Sequence, residues 1–327
     1  MMETCMGWRK SGWVWLLVTM VMTAAAQAKT VVVLNSDDAT IALIDQQTFN
    51  VLNVIPTGKE PHHLIQTPDG KSLIVANSAG NQLIFLDPSN GQFQRRVGNI
   101  IDPYQLAFSP DRQWFVTAGN RLDRIDIYRW DGENFTHLKT LAAPHVPSHI
   151  AFSPDSKLVF VTLQNSDELV AIDLETQTEK WKIKTARLPA GIQITGDGKY
   201  LMLGMTGEDF VDFIDWQSAK SVARVVTGKG AHNFRPVGDG RHVFVSNRVS
   251  NTISYLDTLE RKVLYEIKVP SGPDDMELSA DGKTLWLTAR WARLLCVVDL
   301  ETRKVIQRIP VGRSPHGLYF QDRAPWQ

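Results

Sequence analysis

The chain has 327 residues, with 35 Lys+Arg against 35 Asp+Glu, 43% hydrophobic and 21% charged residues. That composition fits a globular protein and excludes a wholly disordered or collagen-like chain. The neutral total argues against a protein that coats nucleic acid through bulk charge, and two cysteines are too few for a disulfide scaffold.

Residues 1–28 read as an export signal. Arg9 and Lys10 precede an almost wholly apolar run from Trp13 to Met22, and Ala26-Gln27-Ala28 supplies an A-x-A cleavage site. The run is short for a membrane span. Cleavage after Ala28 is therefore expected, leaving residues 29–327 as a single domain without a transmembrane segment, in the periplasm or secreted. Cys5 would leave with the signal. Cys296 alone would remain, and an exported chain without disulfides suits a bacterial periplasm.

Beyond residue 30 the chain repeats. Pro61-His62-His63-Leu64 aligns with segments beginning at Pro103, Pro147, Pro189, Ala231, Pro273 and Pro315, in steps of 42, 44, 42, 42, 42 and 42 residues. Six of the seven are followed eight residues on by an Asp, as in Pro68-Asp69-Gly70-Lys71. Asp-Gly between apolar runs is a hairpin signal, because Gly accepts φ > 0 and Asp bonds its own backbone. One period then holds strands near Leu64–Thr67, Ser72–Asn77, Gln82–Asp87 and Gln92–Val97. Four short antiparallel strands per ~40 residues is the period of a β-propeller blade. Six units are complete. Residues 30–56 supply three further strands and residues 315–320 a single one. The expected fold is all-β, a seven-bladed β-propeller closed by the C-terminal strand joining the three N-terminal strands, and a ring closed in this way needs no partner copy for stability.

The pattern Pro-x-x-Leu-x-x-Ser-Pro-Asp-Gly-Lys-x-Leu-x-Val-x-Asn, ending in Ile-Asp and a Val-Gly or Thr-Gly, resembles the YVTN-type β-propeller repeat over essentially all of residues 30–320. That group is similar to the d-type haem domain of cytochrome cd-type nitrite reductases and to seven-bladed lactonase propellers. The resemblance implies the fold. For function it implies candidates only: a haem-like tetrapyrrole or metal with a histidine ligand, or lactone hydrolysis.

Function should lie where equivalent repeat positions differ. The position after the blade-start residue reads His62, Tyr104, Ser148, Ala190, His232, Asp274, His316, and the next adds His63, His149, Asn233 and Asp275. Five of the eight histidines fall in these two rings, which should surround one mouth of the central channel. Histidine with carboxylate suits metal ligation, with His62, His232 and His316 as expected ligands, or proton transfer. Pro-His pairs that only cap the inner strand are the structural alternative. The loops above carry Arg248 and Arg290, with Trp291 and Arg293 beside the latter. Arginine forks bind carboxylates and phosphates, and Trp offers a stacking face, so a small anionic ligand is expected at this mouth. Arg235 and Glu277 share one repeat position in neighbouring blades and should form a structural ion pair. No covalent-haem, nucleophile-elbow, phosphate-loop or dinucleotide motif is present. The chain thus reads as an exported binding or accessory protein for a small anionic ligand or a periplasmic partner protein. A lactonase-like hydrolase and an interaction scaffold are the alternatives, and no basic stripe points to nucleic acid.

Overall fold

The computed structural model describes residues 1–3 and 29–326, so the expected signal, apart from its first three residues, and its cleavage site lie outside the described residues. Seven four-stranded antiparallel sheets form the ring. In the closing sheet, Thr30–Asn35 lies between Thr40–Asp45 and the C-terminal Pro315–Phe320, with Val31 opposite Phe320 and Val33 opposite Leu318, while Val51–Pro56 is outermost. The other six sheets each run from an inner to an outer strand in chain order. Among the described residues, no helix is long and apolar enough to cross a membrane.

Burial explains the strand sequences. The second and third strands of a blade are covered on both faces, so they read as continuous apolar runs, as in Leu73–Asn77 and Gln82–Leu86. Their side chains pack between blades: Trp114, Val116, Ile125 and Ile127 of one blade meet Ile150, Phe152, Val159 and Val161 of the next. Each such side chain contributes roughly 1.5–3 kcal/mol by leaving water. The outer strands alternate or are exposed. The repeated Asp closes the turns: Asp69 accepts from Thr67 Oγ1 at 2.7 Å and from the Lys71 N–H at 3.1 Å.

The inner strands start earlier than the apolar pattern predicts. Pro61–Gln66 replaces the expected Leu64–Thr67 because Pro61 pairs with Asn77 and Leu64 with Val75, so His62 and His63 together oppose Ala76. This β-bulge recurs at Pro147–Phe152, Pro189–Ile194, Ala231–Pro236 and Pro273–Leu278. A bulge breaks the period-two alternation, and it lets two successive residues serve one site.

The tail packs against the far ends of the inner strands, away from the histidines. Ala324 N–H donates to Leu278 O at 2.8 Å, and Ser279 bridges to Arg323. The predicted Arg235–Glu277 pair is present and fully buried, with Nε donating to Oε2 at 2.8 Å. The rest of the Arg235 guanidinium serves the tail: it donates to Ala324 O at 2.6 Å, Pro325 O at 3.3 Å and Pro236 O, and lies 4.8 Å from the Trp326 ring. Glu277 also accepts from Arg323.

Candidate functional site

Three of the bulges are held by a hydroxyl on the second strand of their blade. Thr162 Oγ1 accepts from the His149 N–H at 3.1 Å and donates to Ala190 O of the next blade at 2.8 Å. Thr288 Oγ1 does the same for the Asp275 N–H (3.1 Å) and His316 O (3.0 Å). Ser246 accepts from the Asn233 N–H at 3.0 Å. These hydroxyls recur at 42-residue steps with Gly204 between them, a signal that sequence reasoning could have used and missed. Where Gly204 stands, the next blade comes closer still. A Cβ on Gly191 would meet His232 O at 1.7 Å, and one on Gly204 would meet it at 2.6 Å. Gly191→Ala should therefore push the His232 strand outward and cost about 3 kcal/mol or more, because the clash is with backbone that cannot change rotamer. Equilibrium urea unfolding checks this, and an unchanged midpoint would refute the close-approach argument.

The bulges bring the histidines together at one end of the channel. The His62 ring lies between His316 and Tyr104, with centroids 3.7 and 3.9 Å away. His63 lies 4.7 Å from His316 and 5.4 Å from His149, which in turn is 5.0 Å from His232. All five histidines are buried, with His316 at 0% and the most open, His63, at 7%. The expected open mouth is thus a closed cluster. Tyr104 was read as one member of a ring position; its role as the stacking partner of His62 was not foreseen.

Asp274 organises the other side and is itself fully buried. Its Oδ1 accepts from Arg248 at 2.5 Å and from Asn233 Nδ2 at 3.4 Å, and lies 3.4 Å from His232 Nδ1. Its Oδ2 lies 3.4 Å from His316 Nε2 and 3.9 Å from Arg290. Arg290 is steered by a 2.8 Å bond to Ser314 Oγ. The structure therefore brings Arg248 and Arg290 to the cluster. It leaves Trp291 and Arg293 exposed on the loop, with the Trp291 ring against Gly272. The ligand atoms of His62, His63 and His316 all fall within 4.8 Å of one another. His232 instead faces Asp274 and His149.

The electrostatics keep the cluster neutral. Burial holds the imidazoles of His62, His149, His232 and His316 well below the usual histidine range. Burial also lowers His63 to about 4, against the opposing hydrogen bond to Tyr104 O. Below the histidines, Gln105, Gln193, Asn233 and Asp275 stay partly exposed, which marks open space inside the channel. Enclosure there, then the charges of Glu277 and Asp274, push Asp275 up to about 8. Cys296 is buried and its thiol is pushed up to about 12 by burial, so it is no nucleophile.

Several buried polar atoms at this end have no hydrogen-bond partner among the described residues: His63 Nε2, His149 Nε2, His232 Nδ1, His316 Nδ1, Arg248 Nε and Asp274 Oδ2. Unpaired buried polar groups each cost roughly 1–3 kcal/mol, so six in one cluster single this end out as the candidate site.

No curated protein matches the chain in sequence. Its fold is similar to that of a functionally unknown protein from Desulfotomaculum acetoxidans (TM-score 0.75, 15% identity, covering 90% of this chain and 99% of that one). It is also similar to the Pseudomonas aeruginosa periplasmic gluconolactonase (TM-score 0.74, 15% identity, 89% and 98%). A third solved structure, dihydro-haem d1 dehydrogenase NirN in complex with DHE, has a TM-score of 0.63 at 17% identity, covering 91% and 76%. At such identities the likeness carries the fold and no activity. The family model described as YNCE-like beta-propeller matches residues 14–326, in accord with the seven sheets and their closure, and the chain belongs to that family.

Proposed function

We propose that the protein is an exported, monomeric binding or accessory protein that takes a small ligand at the histidine end of its channel. The observation that carries this reading is the convergence of six unpartnered buried polar atoms from His63, His149, His232, His316, Arg248 and Asp274. A ligand that supplies the missing donors or acceptors would be bound strongly, because the groups are already desolvated and positioned. Arg248 and Arg290 together outweigh the single charge of Asp274, which favours a ligand with an acidic group at the rim. A tetrapyrrole is the larger candidate, supported by the likeness to NirN. It would have to displace the loop bearing Arg290 and Trp291, since the histidines are covered. Hydrolysis is less well supported. Asp274 is committed to an arginine at 2.5 Å, so its charge is not free to activate a histidine base.

The test uses untagged protein purified from its native export compartment. Native mass spectrometry, metal analysis and an absorbance spectrum should find a bound small ligand or metal. A visible band lost in His316→Ala would specify a tetrapyrrole. Protein that carries nothing, and whose thermal stability is unchanged by haem, metal ions or small carboxylates, would overturn the reading, and turnover of a lactone panel lost in His232→Ala would replace it with the hydrolase.

A further inference from the structure

We infer that the ligand is a late first-row transition-metal ion, copper or zinc, held by His62, His63 and His316. This rests on the binding reading above and deepens it: the metal is the part of the ligand that the histidines hold, and an acidic group facing Arg248 and Arg290 would take the coordination position they leave open. The hydrogen bonds decide which nitrogens are free. His63 Nδ1 lies 2.7 Å from Tyr104 O, and a carbonyl can only accept, so Nδ1 carries the proton. In the neutral ring Nε2 then holds a bare lone pair, and Nε2 is buried without a partner. A metal-binding histidine has this second shell, its other N–H given to a backbone carbonyl.

His316 repeats the logic with a carboxylate. Its Nε2 lies 3.4 Å from Asp274 Oδ2 and accepts from Arg248 Nη2 at 3.4 Å; a shift of the ring proton to Nε2, toward the carboxylate, would free Nδ1 as the lone-pair atom when a metal binds. Nδ1 is likewise buried and unpartnered. The second hydrogen on that Nη2 goes to Asp274 Oδ1 at 2.5 Å. Asp274, itself held by Arg248, would then orient the His316 ring toward the metal from behind, as a carboxylate does behind a metal-bound imidazole. His62 supplies the third imidazole, wedged against both rings; its Nδ1 lies 2.9 Å from the protonated His63 Nδ1, so it accepts there and carries a lone pair.

An all-imidazole set selects copper or zinc over magnesium and calcium, which take oxygen ligands. Three protein ligands leave a coordination position open. Metal–nitrogen distances of about 2.0–2.1 Å place ligand nitrogens ~3.3 Å apart, and one nitrogen from each of the three rings already lies within 4.8 Å of the others, so small ring movements complete the set. His149 and His232 lie outside this triad, on the side of Ser148 and Asp274.

The experiment titrates untagged, chelator-treated protein with Co2+ and with Zn2+, and counts imidazoles on Cu2+-loaded wild type by pulsed EPR. One ion per chain is expected, with the intense visible absorption of a four-coordinate cobalt centre and three coordinating imidazoles. Affinity should fall at least 100-fold in each of His62→Ala, His63→Ala and His316→Ala, and change less than 5-fold in His149→Ala, His232→Ala and the exposed control His145→Ala, on the order of a ligand's contribution. The imidazole count needs no variant, so it stands if an alanine variant misfolds. A large loss in His232→Ala with none in His63→Ala, or two or fewer imidazoles, overturns the triad. No metal uptake by protein that still binds haem or a small carboxylate overturns the metal while leaving the binding reading; no uptake of any of these overturns both.

Discussion

Lowering the pH from 7 to 4 should reduce the folding stability of the metal-free protein, read as a falling urea midpoint. The five clustered histidines are neutral in the fold and ordinary in the unfolded chain. Below pH 6.5 the unfolded state takes up protons that the folded state refuses. Stability from a lowered pKa is complete above the unfolded value and is lost as pH falls toward the folded one. For His63, lowered to about 4, that loss is about 3 kcal/mol by pH 4. His62, His149, His232 and His316 act in the same direction. Asp275 opposes them. Raised to about 8, it is protonated in the fold over a range where the unfolded carboxyl has ionised, so its contribution grows on acidification and offsets roughly one histidine. Asp275→Asn should therefore steepen the acid loss. A urea midpoint that stays level between pH 7 and pH 4 would mean that the histidines are already charged or solvated in the fold.

What the sequence could show follows from what repeats. A hairpin needs its Asp-Gly turn and a blade needs its apolar strands, so these signals recur every 42 residues and the ring can be counted, including its closure by Pro315–Phe320 on Thr30–Asn35. The candidate residues after the blade-start proline were legible because they break the repeat. Their arrangement was not. Strict alternation would put His62 and His63 on opposite faces; the bulge opposite Ala76 gathers both, and so exchanges His232 for His63 in the tightest triad. Nor does the alignment show depth. Equivalent positions near a channel mouth can be open or covered, and only packing reveals that His316 is fully buried while Trp291 is 56% exposed. The tail was unreadable for a simpler reason: residues 323–326 occur once, outside any period, and their partner Arg235 lies about ninety positions away.

Arg235→Met should cost about 3–5 kcal/mol, the usual penalty for removing one member of a buried ion pair and leaving the other uncompensated. Two separate losses contribute. Glu277 keeps only Arg323, and the carbonyls of Pro236, Ala324 and Pro325 lose their common donor. The second loss is specific to the tail, so it can be isolated. Hydrogen exchange at residues 320–326 should be slow in the wild type and fast in Arg235→Met, since Trp326 also loses the guanidinium beneath its ring. Glu277→Gln should be milder for the tail, because Arg235 keeps all three carbonyls. A cycle apportions the terms: in a chain ending at Arg323, which keeps the second partner of Glu277, Arg235→Met should cost measurably less than in the full chain, the difference being the coupling of Arg235 to the tail. Equal costs in both backgrounds would mean that the tail merely rests on the channel end. A smaller cost in the truncated chain would mean that Arg235 fastens the tail at this end of the channel.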